Sequence, residues 1–429
     1  MEQHEADFAM AQLLPDDVLA DILGRLPPRS LALSRCACRA WRNVVDSRDM
    51  LCADLLLPHA LGGIFYNLKD AAPSSRFLAH PSVRDAIPGF LDDYTHEDEV
   101  HGHCNGLLLL KDSVANPATQ QWASLPPRPS LYMGNKYYAT CGSHLVYDPA
   151  VSPHYQVVSI PYDNPCKSKQ ELDPTREKSV EWPPSPLRLL VFSSRTGQWE
   201  EMPFLREGDP TWAAVAGIPS GFQVDQCYAV YWQQQLYAYW KADSIMRISL
   251  SAKKYRLIQL PTDERIYHLY LGKSEKGVYC ARFLNFSRLQ IWFLSESFDQ
   301  MEWVLKYNNY LKPTLPRVDY FDEFYHEQPN GPWTLQEEYY YEDYNTMVIA
   351  ENQFEWDSDS DDILQVDDTS RRQPAYCILG FHPSKEVIFL EERMGRAIAF
   401  HWNSSKFQHL GKLYPKDYAE QTIELAITA

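Results

Sequence analysis

The chain has 429 residues, 45% of them apolar and 23% charged, which is a composition of soluble globular proteins and too long for one small core. Its formal net charge of −17 argues against an overall basic field for wrapping nucleic acid or docking on an anionic membrane. The charge is local, however: residues 318–368 hold sixteen Asp and Glu and no Lys or Arg, so the remaining chain is nearly neutral and has room for a basic patch. Nine cysteines, an odd number, fit a reducing compartment, and residues 1–10 lack the basic and apolar regions of a secretion signal. No apolar run is long enough to span a membrane, so cytoplasm or nucleus is the expected location. The Asn285-Phe286-Ser287 and Asn403-Ser404-Ser405 sequons then read as chance matches.

After a flexible tail over residues 1–11, the first patterned stretch places Leu19, Ile22, Leu23 and Leu26 at helical spacing. Asp16 and Asp17 suit the helix N-terminus and Pro27 stops it. A second short helix starts near Ser30 and runs through Leu31 and Leu33, and a third uses Cys38, Trp41, Val44 and Val45 as its inner face. Three such helices bury little surface on their own. Two readings follow: a head that meets a partner, or a cap on the rest of the chain. The thiols of Cys36 and Cys38 read as small packed groups of this head.

The ordered run Leu14-Pro15-Asp16-Asp17-Val18-Leu19, Ile22-Leu23-Gly24-Arg25-Leu26-Pro27 and Ser34-Arg35-Cys36-Ala37-Cys38-Arg39-Ala40-Trp41-Arg42 resembles the F-box, over residues 12–52. The resemblance implies binding of a Skp-type adaptor and, through it, a cullin. Carried onto matching positions, the adaptor-binding residues are Leu14, Pro15, Leu19, Ile22, Leu23, Leu26, Pro27 and Leu31, with Trp41 holding the third helix. Trp41 also fits a core role with no partner contact. Ala37 is smaller than the Val often found there.

Residues 53–100 read as a linker with the first strands of the following domain, and residues 101–429 as an all-β repeat domain. The recurring unit is an apolar strand, a polar turn, and an aromatic residue leading into a second strand. Its aromatic markers are Trp122, Tyr155, Trp199, Tyr255, Trp303 and Phe407. They lie 33, 44, 56, 48 and 104 residues apart, the last gap about twice the others. Hairpins at this repeat length predict a β-propeller of six or seven blades. His103-Cys104-Asn105-Gly106 with Leu107 to Leu110, and Gly197-Gln198-Trp199, resemble the C-terminal F-box-associated and kelch-like repeats of plant F-box proteins. The only Gly-Gly pair, Gly62-Gly63, lies outside the marked units, which favours a diverged repeat over standard kelch.

Residues 318–368 account for the doubled gap as an acidic insertion, either disordered or, given Tyr320, Phe321, Trp333 and its tyrosines, a docking segment whose Ser358 and Ser360 are phosphorylation candidates. His101-Gly102-His103-Cys104 carries metal-ligand types without a second ligand pair, so no metal is expected. No nucleophile elbow, phosphate-cradling loop or triad stands out, so no catalytic residue and no cofactor is expected. Trp212, Tyr231, Trp232 and Trp240 serve either blade cores or target contact. The reading is a non-catalytic, substrate-recognising subunit of an SCF (Skp-cullin-F-box) ubiquitin ligase, with an unidentified target on the propeller. A non-degradative scaffold and a glycan-binding or catalytic propeller are the alternatives.

Overall fold

The computed structural model describes residues 15–23, 34, 38–48, 61–68, 74–80, 99–117, 121–130, 132–133, 136–137, 141–161, 183–208, 229–241, 244–261, 269–297, 300–312, 331–336, 375–392, 395–414 and 423–428. They fall into a small helical unit at the N-terminal end and a much larger β unit.

The helical unit contains α1 (Asp16–Leu23) and α2 (Arg39–Ser47). The Pro15 carbonyl accepts the Leu19 amide at 3.0 Å to start α1, and Asp16 and Asp17 oppose the positive end of its dipole. At α2, Cys38 supplies both its carbonyl, bonded by the Arg42 amide at 3.1 Å, and its sulfur, reached by the Trp41 amide at 3.5 Å. Cys38 is therefore half-buried just before the helix, where its thiol takes the place of an N-cap hydroxyl. The second predicted helix lies outside the described residues apart from Ser34.

In the β unit the strands are β1 (Gly63–Leu68), β2 (Ser74–Ala79), β3 (Gly102–Cys104), β4 (Leu107–Leu109), β5 (Ser113–Asn116) and β6 (Gln121–Ser124). A short hairpin, β7 (Tyr132–Met133) and β8 (Lys136–Tyr137), precedes β9 (Cys141–Val146), β10 (Gln156–Pro161), β11 (Leu187–Ser193) and β12 (Gln198–Arg206). Then come β13 (Ala229–Trp232), β14 (Gln235–Lys241), β15 (Ser244–Ser249) and β16 (Lys254–Gln259). They are followed by β17 (Leu269–Ser274), β18 (Gly277–Leu284), β19 (Arg288–Ser297), β20 (Gln300–Tyr310) and β21 (Thr334–Gln336). The last are β22 (Tyr376–Phe381), β23 (Val387–Glu392), β24 (Arg396–His401), β25 (Lys406–Lys412) and β26 (Ile423–Thr428).

Strands β3 to β6, β17 to β20 and β22 to β25 form three four-stranded antiparallel meanders. A fourth sheet has the order β21-β2-β1-β26 and joins the two ends of the unit, Ile64 pairing with Thr428. Strands β9 to β16 form one eight-stranded sheet, because Leu205 and Arg206 of β12 pair in parallel with Lys254 and Tyr255 of β16. The arrangement is propeller-like: first strands neighbour one another, β3 with β9, β13 with β17, β17 with β22 and β22 with β26.

The expected count of six or seven separate blades is corrected by this hydrogen bonding, which gives four sheets of four strands, one of eight and the β7–β8 hairpin among the described residues. One reason lies in the markers. Trp122, Trp199, Tyr255, Trp303 and Phe407 stand on β6, β12, β16, β20 and β25, the last strand of each meander, but Tyr155 leads into β10, in the same sheet as Trp199. Two predicted units are therefore one. The doubled gap before Phe407 contains β21, which the closing sheet takes up.

Inner strands are buried on both faces, as in β23 and β24, whose residues are all buried. Outer strands such as β6 are exposed along their length. Apolar clusters join neighbouring meanders face to face: β14 to β16 with β17 to β19 through Tyr239, Ile245, Ile258, Leu271 and Trp292, and the next pair through Tyr279, Ile291, Phe381 and Phe400. Tyr237, Tyr239 and Trp240 are core residues, while Tyr231 and Trp232 are half-buried; Trp212 lies outside the described residues. Within the acidic insertion only residues 331–336 are described. There Trp333 is buried, its amide donates to the Leu410 carbonyl of β25 at 2.8 Å, and β21 pairs with β2, so this part of the insertion is a built element of the closing sheet.

Candidate functional site

In the helical unit, Leu19, Ala20 and Leu23 of α1 meet Val44 and Val45 of α2 in one buried cluster, against which Trp41 packs half-buried. Leu19 and Leu23 are 3% and 1% exposed, so both are committed to the core of the head. Ile22, which the sequence pattern placed on the same stripe, is 48% exposed, and Val18 is 44% exposed. Residues four apart stand one above the other on a helix, so Val18 and Ile22 form an open apolar pair, with exposed Pro15 one turn before Val18.

Val18 was not among the expected contacts. Its i, i+4 spacing to Ile22 was the available signal, hidden by assigning every apolar residue of the helix to one face. Leu14, Leu26, Pro27 and Leu31 lie outside the described residues. An ion pair between Arg48 and Asp17 links the two helices, and both partners are too exposed for it to add much stability.

A second concentration of polar groups lies where the first strands of the β unit converge. Asn105 and Gly106 have φ of 45° and 86°, the paired left-handed conformation of a tight hairpin turn between β3 and β4. Asn105 Nδ2 donates to the Tyr147 carbonyl at 2.8 Å, and the Cys104 thiol and the Tyr147 backbone exchange contacts at 3.2 and 3.3 Å. From β17, Lys273 Nζ donates to Asn105 Oδ1 at 2.7 Å and to the Tyr231 carbonyl at 3.3 Å. Desolvation pulls the Lys273 pKa down, while Cys104 and Asp148 oppose it. His103 is pushed down to about 3 by desolvation and by the Lys273 charge. No group of three His, Cys, Asp or Glu suited to a metal occurs among the described residues.

A cleft of about 400 Å³ opens between the β17–β18, β22–β23 and β24–β25 turns, lined by Lys276, Lys385, Glu275, Glu386 and Asn403. Glu386 is already engaged by Lys276 at 2.9 Å and by Asn403. No helix among the described residues is long and apolar enough to cross a membrane.

Comparison with known proteins gives a match to the F-box domain at residues 12–52. An Arabidopsis thaliana F-box protein is 26% identical over 199 residues, 43% of this chain and 46% of that protein. A putative F-box/kelch-repeat protein of the same plant is 24% identical over 206 residues, 43% of this chain and 45% of its own length. The chain thus spans about half the length of these curated relatives. Another putative Arabidopsis F-box protein is 22% identical over 338 residues, 72% of this chain and 70% of that one. The chain carries an F-box domain at residues 12–52, and its relatives are F-box and F-box/kelch-repeat proteins of Arabidopsis.

Proposed function

We propose that this protein is the target-recruiting, non-catalytic subunit of an SCF ubiquitin ligase in the cytoplasm or nucleus. Its head over residues 12–52 engages a Skp-type adaptor, which brings the cullin, and its propeller holds a target protein. The F-box match is the observation that carries this reading. The exposed apolar line of Pro15, Val18 and Ile22 supports it, because an open apolar pair on a small helical unit is a surface that a partner covers. In this reading Leu14, Leu26, Pro27 and Leu31 extend the contact, while Leu19, Leu23 and Trp41 set the geometry of the head.

The propeller-like β domain, 101–429 together with the strands at 61–80, is the part read as holding the target. The subunit then works by raising the concentration of target beside the ligase, with no chemistry of its own. Co-purification tests it: the full chain retains the adaptor and a chain lacking residues 12–52 does not. Equal retention by both would end the proposal.

A further inference from the structure

The hairpin of β15 and β16 places Arg247 directly opposite Arg256. Directly opposed side chains stand roughly 4.5–5.5 Å apart at Cβ, where like charges destabilise the pair. Arg247 is compensated in part, its Nη1 lying 3.3 Å from Glu296 Oε1 and its guanidinium bonding the Tyr237 hydroxyl. Its Nε, by contrast, is shut away from solvent with no hydrogen-bond partner. Arg256 is half-buried and has no hydrogen bond or ion pair among the described residues. One rung along the same face, Lys254 is matched by Glu207 at 3.1 Å, and exposed Leu205 stands beside it in register.

Among the described residues the cations Arg247, Arg256 and Lys254 thus face the two carboxylates Glu296 and Glu207, and the charge left over there is that of Arg256. A buried donor without an acceptor is costly, and an uncompensated guanidinium beside it adds repulsion. The repulsion falls if one oxyanion bridges the two guanidiniums at their exposed nitrogens, because the guanidinium fork matches the oxygens of a carboxylate or phosphate.

We propose that Arg247 and Arg256 form an oxyanion-binding site on the β15–β16 hairpin that takes the carboxylate or phosphate group of an acidic peptide segment, with Leu205 offering an apolar contact at its edge. The peptide is favoured over a lipid headgroup because the cationic row carries two matched carboxylates, which a flat anionic membrane would repel. The inference deepens the target-recruiting reading, and it is tested without the adaptor, so failure of this site and failure of the head are separate results.

Fluorescein-labelled, C-terminally amidated Ala-Gly-Xaa-Gly-Ala peptides, with phosphoserine, Glu or Ser at Xaa, are titrated by anisotropy into the full chain, with phosphatidylserine vesicles as a further arm. The phosphoserine or Glu peptide binds saturably and the Ser peptide at least several-fold more weakly, the stronger of the first two naming the source of the oxyanion. Arg256→Gln lowers the affinity about tenfold with the thermal midpoint unchanged or raised, and Arg256→Lys loses less. Arg247→Gln lowers it too, at some cost in stability. Absence of saturable binding, full binding by Arg256→Gln, equal binding of the Ser peptide, or binding to vesicles and not to peptide would overturn the proposal.

Discussion

Lys273 Nζ donates to Asn105 Oδ1 at 2.7 Å, tying β17 to the β3–β4 turn, which lie 168 residues apart in the chain. The same Asn105 amide donates to the Tyr147 carbonyl after β9, so one side chain joins three first strands or their exits. Its φ of 45° is one that Asn tolerates and most L residues resist. Asn105→Ala therefore loses both hydrogen bonds and strains the turn, at an expected cost of about 2–3 kcal/mol. Asn105→Asp keeps the acceptor for Lys273 and costs less. Urea midpoints at constant slope check the order; an Ala variant as stable as the parent would remove Asn105 as the link.

Glu391 and Tyr414 give a pH signature. Burial raises the Glu391 pKa to about 7, while the Tyr414 hydroxyl, donating at 2.9 Å, pulls the other way. A carboxyl whose folded pKa lies above its unfolded value keeps its proton longer in the fold. Its contribution is therefore fully present below about pH 4.5 and is lost as pH rises to about 7. Glu391→Gln should leave stability unchanged near pH 4.5 and raise it by up to about 3 kcal/mol at pH 8. Denaturation at the two pH values checks this, and an equal effect at both would refute it.

His144 works in the opposite sense. Burial lowers its pKa to about 4, so the unfolded chain takes up a proton first as pH falls below about 6.5, and stability drops between there and pH 4. His144→Gln should flatten that part of the stability profile. If the slope between pH 6.5 and 4 is unchanged, the ring is not held neutral by the fold.

The repeat pattern carried much of this architecture in the sequence. Trp122, Trp199, Tyr255, Trp303 and Phe407 are spaced by meanders because each stands on the last strand of one. Tyr155 broke the rule because a local pattern of strand, turn and aromatic does not say which hairpin of a sheet it belongs to. The closing sheet was hidden for another reason: Ile64 and Thr428 are distant in sequence, and neither strand bears the repeat. In the head, helical spacing identified Leu19 and Leu23, but α2 covers only one side of α1, and Val18 and Ile22 stay open. Arg247 and Arg256 were invisible until strand register set them opposite each other.

Gly331 fixes where the acidic insertion passes β25 on its way into the closing sheet. A Cβ there would overlap the Leu410 carbonyl and lie 2.6 Å from Gly411 Cα, and backbone cannot step aside as a side chain can. Gly331→Ala should displace Trp333 and β21 from the sheet edge. The expected readout is faster hydrogen exchange at the Trp333 amide, now bonded to Leu410, with β23 and β24 unaffected. Unchanged exchange would mean that residues 331–336 do not depend on this close approach.

The central claim is that the head is an adaptor-binding surface whose open apolar line, and not its buried leucines, meets the partner. Its most direct test is the affinity of a Skp-type adaptor for the full chain and for Ile22→Glu, by titration calorimetry, with circular dichroism to confirm that the helices persist. A charge at a site 48% exposed leaves the fold intact while blocking an apolar contact, so binding should weaken by about a hundredfold or vanish. Adaptor affinity equal to that of the parent chain in a folded Ile22→Glu variant would contradict the account.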